Sequence, residues 1–366
     1  MTTTPTSEIR CTAPWTTMEI VSPDGRVRQC CADWTRDARG VHSPAVSLRD
    51  LWNGPGYRDA RRRMAAHDTD ALCHAVCPRL HDLRDAAANL QMHPGSPDFV
   101  DNQRLMRDDI ASGREVARAL PIYLALCPST YCNYDCVMCD HGRTPRRELA
   151  DTLWDELPAL LPTLRVLTLL GGEPLASPRA MRFLHDFDRV RWPDAAVSLI
   201  TNGSLLSASA LRHMRACRFA NVTFSLNAGT PEVYRQVQRG IELGETLANL
   251  DALLALRREQ GSRFPVALSF VVMPMNAHTL RDFAAIAEAR DLPIRLLPLD
   301  VYGAPELDFY GDPAAVAAVL AHLDDLADAS RGRPPQWIRE IHGTRNAIAA
   351  TAADHHRRRL PTHKPR

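Results

Sequence analysis

The 366-residue sequence has no apolar run approaching the ~18 residues of a membrane-spanning helix. Its first ten residues are polar and lack the apolar core of a secretion signal. These two absences point to a cytoplasmic protein. Excess charge is also missing: the net charge is +1, so no strong global field favours nucleic acid or an anionic membrane. The basic clusters Arg61-Arg62-Arg63 and Arg357-Arg358-Arg359 read as solvated surface. No internal repeat is present, and no cysteine follows residue 217. What remains is 45% apolar and 24% charged, the make-up of a globular chain long enough for one large domain and a smaller one.

The cysteines divide the chain. Of ten, five lie before residue 80, four between 127 and 139, and one at 217. Disulfides are rare in a reducing compartment, so cysteines clustered at short spacing there read as metal ligands. Residues 1–93 read as a small α+β module. Met18–Val21 and Arg26–Gln29 form a hairpin around Ser22-Pro23-Asp24-Gly25, and Ser47 precedes one or two short helices through Ala66, interrupted at Gly54-Pro55-Gly56. A helical linker occupies 94–120.

From 121 to 311 strands alternate with helices. Strand candidates are Ile122–Cys127, Arg165–Leu170, Ala196–Thr201, Asn221–Leu226, Pro265–Met273 and Ile294–Leu299. Such alternation predicts an α/β fold with a parallel sheet, either open or a partial barrel, and ligands at the C-terminal strand ends. Residues 312–366 carry one helix, Pro313–Ala329, and a basic end. His355, His356 and His363 there read as part of a disordered tail rather than a metal site.

Cys132, Cys136 and Cys139 have the spacing CxxxCxxC and follow the first strand of this region. Three thiolates on one loop can cap three irons of a cubane and leave the fourth without a protein ligand. A zinc site completed by Cys127 or His141 is the plainer alternative.

This spacing at the end of a first strand resembles the radical S-adenosylmethionine (SAM) superfamily. Gly171-Gly172-Glu173-Pro174 after the second strand is similar to the segment of that family that engages the SAM amino group. Thr201-Asn202-Gly203 ends the third strand and Ser225-Leu226-Asn227 the fourth, where the family often has aspartate in place of Asn227. Arg239-Gly240 resembles the family's Arg-Gly segment, whose arginine pairs with the SAM carboxylate. Met138 stands where an aromatic residue is usual. The resemblance implies a partial (β/α)6 barrel, a SAM-binding [4Fe–4S] cluster on Cys132, Cys136 and Cys139, and SAM contacts from Met138, Gly171, Gly172, Glu173, Pro174, Thr201, Asn202, Ser225, Asn227 and Arg239. It also implies reductive cleavage of SAM to a 5′-deoxyadenosyl radical, driven by a donor such as flavodoxin or ferredoxin.

The N-terminal module resembles the SPASM/twitch auxiliary-cluster modules, placed before the radical SAM domain rather than after it. The likeness rests on Cys11, Pro14-Trp15, Gly25 to Cys30, Leu51-Trp52-Asn53, Arg61 and Cys73-x-x-x-Cys77-Pro78. It implies a second [4Fe–4S] cluster on Cys11, Cys30, Cys73 and Cys77, with Cys31 as an alternative to Cys30. A zinc knuckle on the same ligands is the non-redox alternative.

Three reactions fit such a chain. Epimerisation of a small sugar- or aminocyclitol-like substrate in natural-product (antibiotic) biosynthesis needs a thiol to return hydrogen. Cys127 is the first candidate, with Cys31 and Cys217 behind it, and this reaction stands slightly ahead. Alcohol dehydrogenation needs a base, Asp300 or His141, and the auxiliary cluster as electron acceptor. Peptide maturation needs a leader-binding domain, and no winged-helix-like segment is evident. A zinc-bound scaffold is the non-enzymatic alternative.

Overall fold

The computed structural model describes residues 9, 11–20, 22–30, 38–69, 72–73, 90–141, 144–301 and 304–359, the side chains of 356–359 excepted. The chain divides into two units: Met1–Tyr131, Pro145–Leu199 and His213–Ala220 in the first, and Cys132–Thr144, Ile200–Arg212 and Asn221–Arg366 in the second. Among the described residues, no helix is long and apolar enough to cross a membrane.

In the first unit a short helix, α1 (Ala13–Thr16), leads into β1 (Thr17–Ile20). Gly25 takes φ +80°, which lets the Pro-Asp-Gly turn reverse the chain. β2 (Arg26–Arg28) then pairs antiparallel with β1, Glu19 facing Arg28, and β3 (Gly40–Val41) pairs antiparallel with β2. The expected hairpin is present, with Val21 outside the described residues. Ser47 and Asp50 form a capping box that starts α2 (Leu48–Trp52), and α3 (Pro55–Ala65) follows after the break at Gly54. α4 (Pro97–Ala111) occupies most of the expected linker helix.

The parallel strands follow. β4 (Tyr123–Leu126) and β5 (Val166–Leu169) each bury alternate leucines, Leu124 and Leu126, Leu167 and Leu169. β6 (Ala196–Thr201) continues the series, with Leu167 facing Val197. Between them α5 (Asp151–Leu160) buries Leu153, Trp154, Leu157 and Leu160 on one face, and α6 (Pro178–Asp186) is capped by Ser177. β1 pairs in parallel with β4, Thr17 facing Tyr123. The N-terminal hairpin therefore extends the sheet begun by β4.

The second unit holds α7 (Ala208–His213, all but its last residue), β7 (Phe219–Ser225, from Asn221), α8 (Pro231–Val237), α9 (Leu243–Glu259), β8 (Val266–Val272), α10 (Leu280–Glu288), β9 (Ile294–Pro298), α11 (Pro313–Ala329) and α12 (Pro335–Arg359). β8 pairs in parallel with β7 and with β9. The fold class is α/β, with β4 to β6 parallel in the first unit and β7 to β9 parallel in the second. Neither unit's strands close on themselves.

Two expectations are corrected: Arg61, read with Arg62 and Arg63 as solvated surface, is 0% exposed, and the C-terminal end is helical. Residues 335–359 form a helix where the sequence reading expects a tail. Trp337, Ile341, Ile348 and Ala352 are buried along one face. Glu340 Oε1 accepts the Leu296 N–H at 2.9 Å and Thr344 Oγ1 donates to the Leu296 carbonyl at 2.7 Å, so α12 satisfies part of β9. His355 pairs with Asp308 at 3.1 Å, while the His356 side chain and all of His363 lie outside the described residues.

Candidate metal and cofactor site

In the second unit the loop Cys132–Cys139 is held by its backbone and by two short polar networks. The Val137 N–H donates to the Val237 carbonyl at 2.9 Å, and the Cys139 N–H to the Cys136 carbonyl at 3.2 Å. Tyr134, 3% exposed, places its hydroxyl 3.3 Å from those of Tyr234 and Thr246, which lie 2.8 Å from each other. Its ring lies so close to Gly240 that a Cβ there would overlap it. Asn202 donates to Asn133 Oδ1 at 3.0 Å and approaches Cys132 Sγ at 3.8 Å, while Asn133 donates to Ser204 Oγ at 2.8 Å.

The three cysteines are half-buried and none is in a disulfide. Cys136 donates to the Gln238 carbonyl at 3.4 Å. Burial pushes its thiol up, and the neighbouring Cys132, Cys139 and Asp135 push it further. Mutually repelling sulfurs on one loop fit a cationic metal cluster, whose binding releases the thiol protons. His141 Nδ1 has no hydrogen-bond partner among the described residues, and ligand atoms of Cys139, Asp140 and His141 lie within 4.8 Å of one another. Single-ion binding by this group is thus the local competitor.

The strand-end residues are largely engaged. Thr201 Oγ1 accepts the Gly203 N–H at 3.0 Å. Asn227 Oδ1 accepts the Val271 N–H at 2.8 Å and its carbonyl accepts from Asn276, so this residue ties β7 to β8. Arg239 sits at φ +48°, half-exposed, 3.7 Å from Asp135. Met138 is half-buried and Asp300 exposed. Gln238, outside every motif named above, also belongs to this site. It is fully buried, accepts the Asn227 N–H at 2.8 Å, donates to the Ser225 carbonyl at 2.9 Å and receives the Cys136 thiol on its own carbonyl. Its place before Arg239-Gly240 is the one signal that points to it.

In the first unit Gly171-Gly172-Glu173-Pro174 packs on the segment after β4. The Gly172 N–H donates to the Ser129 carbonyl at 3.1 Å and the Glu173 N–H to the Tyr131 carbonyl at 2.9 Å. Side chains at Gly171 and Gly172 would overlap Cys127 Sγ and the Tyr131 carbonyl respectively. Close packing inside this unit thus accounts for the two glycines without any ligand. Glu173 is 1% exposed, and its carboxylate accepts the Leu175 N–H at 3.1 Å. Cys127 is fully buried, donates to the Ser129 carbonyl at 3.4 Å, and burial raises its thiol to about 11.

Cys11 and Cys30 are buried in an apolar cluster with Trp15, Ala60, Met64, Met106 and Ile110, and Cys73 packs against it. None of the three is in a disulfide, and they come from three separate stretches of sequence. That donor set fits an auxiliary cluster. Cys77 and Cys31 lie outside the described residues. Cys217 is 6% exposed, its thiol pushed up by burial alone, which marks it as packing.

Comparison with known proteins agrees. Residues 126–288 match the Radical SAM superfamily model, and residues 11–78 match SPASM, an iron-sulfur cluster-binding domain. Curated relatives include GTP 3′,8-cyclases of Nitrobacter hamburgensis, 26% identical over 59% of this chain, and of Rhodopseudomonas palustris, 29% identical over 59%. The chain spans 65% of the length of each. Solved structures to which the chain is similar include Streptococcus suis SuiB bound to S-adenosylmethionine, at TM-score 0.48 and 13% identity over 68% of this chain and 57% of that one. Another is anSMEcpe with bound AdoMet, at TM-score 0.43 and 16% identity over 58% and 61%. The two domains imply a [4Fe–4S] cluster with SAM and an auxiliary iron–sulfur cluster. Cysteine spacing, strand-end motifs and both domain matches converge: residues 126–288 carry a radical SAM domain, with a SPASM-type module over residues 11–78 ahead of it.

Proposed function

We propose that the protein oxidises a carbinol carbon of a small sugar- or aminocyclitol-like substrate. When bound, the cluster and SAM supply a 5′-deoxyadenosyl radical that takes a hydrogen atom from an unactivated C–H bond. The hydroxyl proton passes to a base and the remaining electron to the auxiliary cluster, leaving a carbonyl. Asp300, exposed after β9, and His141, beside the cysteine loop, are the candidate bases. A flavodoxin or ferredoxin supplies the reducing electron.

One observation carries the choice of oxidation over epimerisation. Cys127, the first candidate to return hydrogen to a substrate, is 0% exposed, lies against Gly171 and donates to the Ser129 carbonyl. A sulfur so enclosed is poorly placed to meet a substrate carbon. A separate feature favours epimerisation as the second reading: the raised Cys127 pKa, about 11, keeps the thiol neutral, and hydrogen-atom return requires the S–H form.

Turnover in deuterated water separates the two. Oxidation yields a product two electrons more oxidised, with no solvent deuterium on carbon. One carbon-bound deuterium with inverted configuration would overturn the oxidation reading. GTP belongs in the substrate panel beside sugars and aminocyclitols, because the curated relatives carry the name GTP 3′,8-cyclase.

A further inference from the structure

Arg61 is a buried cation with no anion among its direct hydrogen-bond partners in the described residues. It is 0% exposed, its guanidinium 4.4 Å over the Trp52 ring and 5.5 Å from that of Tyr57. Nε donates to the Pro14 carbonyl at 2.9 Å. Nη1 donates to Asn53 Oδ1 at 2.9 Å and to the Glu115 carbonyl at 3.0 Å. Nη2 is buried and has no partner among the described residues. All three acceptors are neutral. The carboxylate that acts on Arg61 through space, Asp109, is itself bound by Arg114 at 3.0 Å, Arg118 at 2.9 Å and the N–H groups of Arg118 and Ala119.

Removing a guanidinium from water is expensive unless an anion compensates it. Burial lowers its pKa only to about 10, so the charge is retained at neutral pH. The same helix supplies the anion's setting: Ala60 and Met64, which flank Arg61 on α3, belong to the apolar cluster that holds Cys11 and Cys30. Arg61 reaches the Pro14 carbonyl, three residues after Cys11, and lies over Tyr57, whose hydroxyl is 2.8 Å from the Arg28 carbonyl, two residues before Cys30. A thiolate-ligated iron–sulfur cluster there carries net negative charge, which grows on reduction.

We propose that Arg61 is a positioning residue for the auxiliary cluster, supplying the fixed positive charge that balances it and raises its reduction potential. This rests on the auxiliary cluster being present. The test uses the full chain with Cys132→Ala, Cys136→Ala and Cys139→Ala, so that only the auxiliary cluster loads. Arg61→Met and Arg61→Lys are compared in that background by iron analysis, redox titration followed by electron paramagnetic resonance, and thermal melting of iron-free protein.

The parent should hold roughly four irons. Arg61→Met should still fold without iron but melt at a lower temperature than the parent, since the Pro14 and Glu115 carbonyls and Asn53 Oδ1 lose their donor. Its loaded cluster should titrate at a more negative potential, or lose iron, while Arg61→Lys stays near the parent. An unchanged midpoint in fully loaded Arg61→Met overturns the proposal, as does an equal change in Arg61→Lys. Failure of iron-free Arg61→Met to fold would make Arg61 a folding strut and also overturn it. A parent without iron would refute the auxiliary cluster itself.

Discussion

The sulfur of Cys127 occupies the space into which a side chain on Gly171 would project, and Gly171 sits at φ +121°. The first strand end and the Gly-Gly-Glu-Pro turn are therefore packed with no room between them. Gly171→Ala meets two penalties, backbone strain and overlap with Cys127, and should destabilise by roughly 2–4 kcal/mol. Combining it with Cys127→Ala removes the overlap and leaves the strain, so the double variant should recover part of the loss. Urea midpoints of the three variants measure this. Full additivity would mean that the two positions do not touch energetically.

The enclosed thiol gives a pH signature. Burial raises its pKa from 9.0 to about 11, so the fold favours the protonated form. A raised folded-state value contributes stability that is complete below the unfolded value and is lost as pH rises through the folded one. Wild type should thus lose roughly 3 kcal/mol more than Cys127→Ala between about pH 9 and pH 11. Parallel curves for the two proteins across that window would show that Cys127 is not sealed.

Much of this arrangement is legible in the sequence. Alternate leucines at 124 and 126, and at 167 and 169, mark β4 and β5, and the cysteine spacing marks the cluster loop. Long-range packing is less visible. What covers Cys127 depends on Gly171 in the turn after the next strand. Gln238 has no signature of its own, since any hydrogen-bonding role of a glutamine depends on which backbone groups surround it. α12 escapes because its buried residues are interspersed with arginine, alanine and histidine, a composition that also suits a solvated tail.

Gly240 tests the cysteine loop. Any Cβ there overlaps the Tyr134 ring, which is held between Tyr234 and Thr246. Gly240→Ala should push the ring and its loop outward. The expected result is loss of most iron from the Cys132, Cys136 and Cys139 site, with SAM cleavage falling at least tenfold. Auxiliary iron should be retained. Tyr134→Ala added to Gly240→Ala should restore part of the iron. Full iron in the single variant would show that the loop yields to an added methyl group.

Glu156 tests how the N-terminal module is fastened to α5. One carboxylate oxygen lies 2.9 Å from His42 Nε2, whose side chain is 1% exposed, and the other accepts the Leu48 N–H at 2.7 Å. Glu156→Ala leaves both groups without this partner in a poorly hydrated setting, at about 1–3 kcal/mol each. Glu156→Gln keeps an acceptor for Leu48 and a neutral partner for His42, so it should lose less. Because β1 and β4 share a sheet in this unit, the loss should appear as one cooperative transition at lower denaturant, not as separate release of the module. Hydrogen exchange resolves the alternatives. Protection lost equally in β1 and β4 fits a single cooperative unit, whereas loss confined to residues 38–52 would reduce the pair to a local tether.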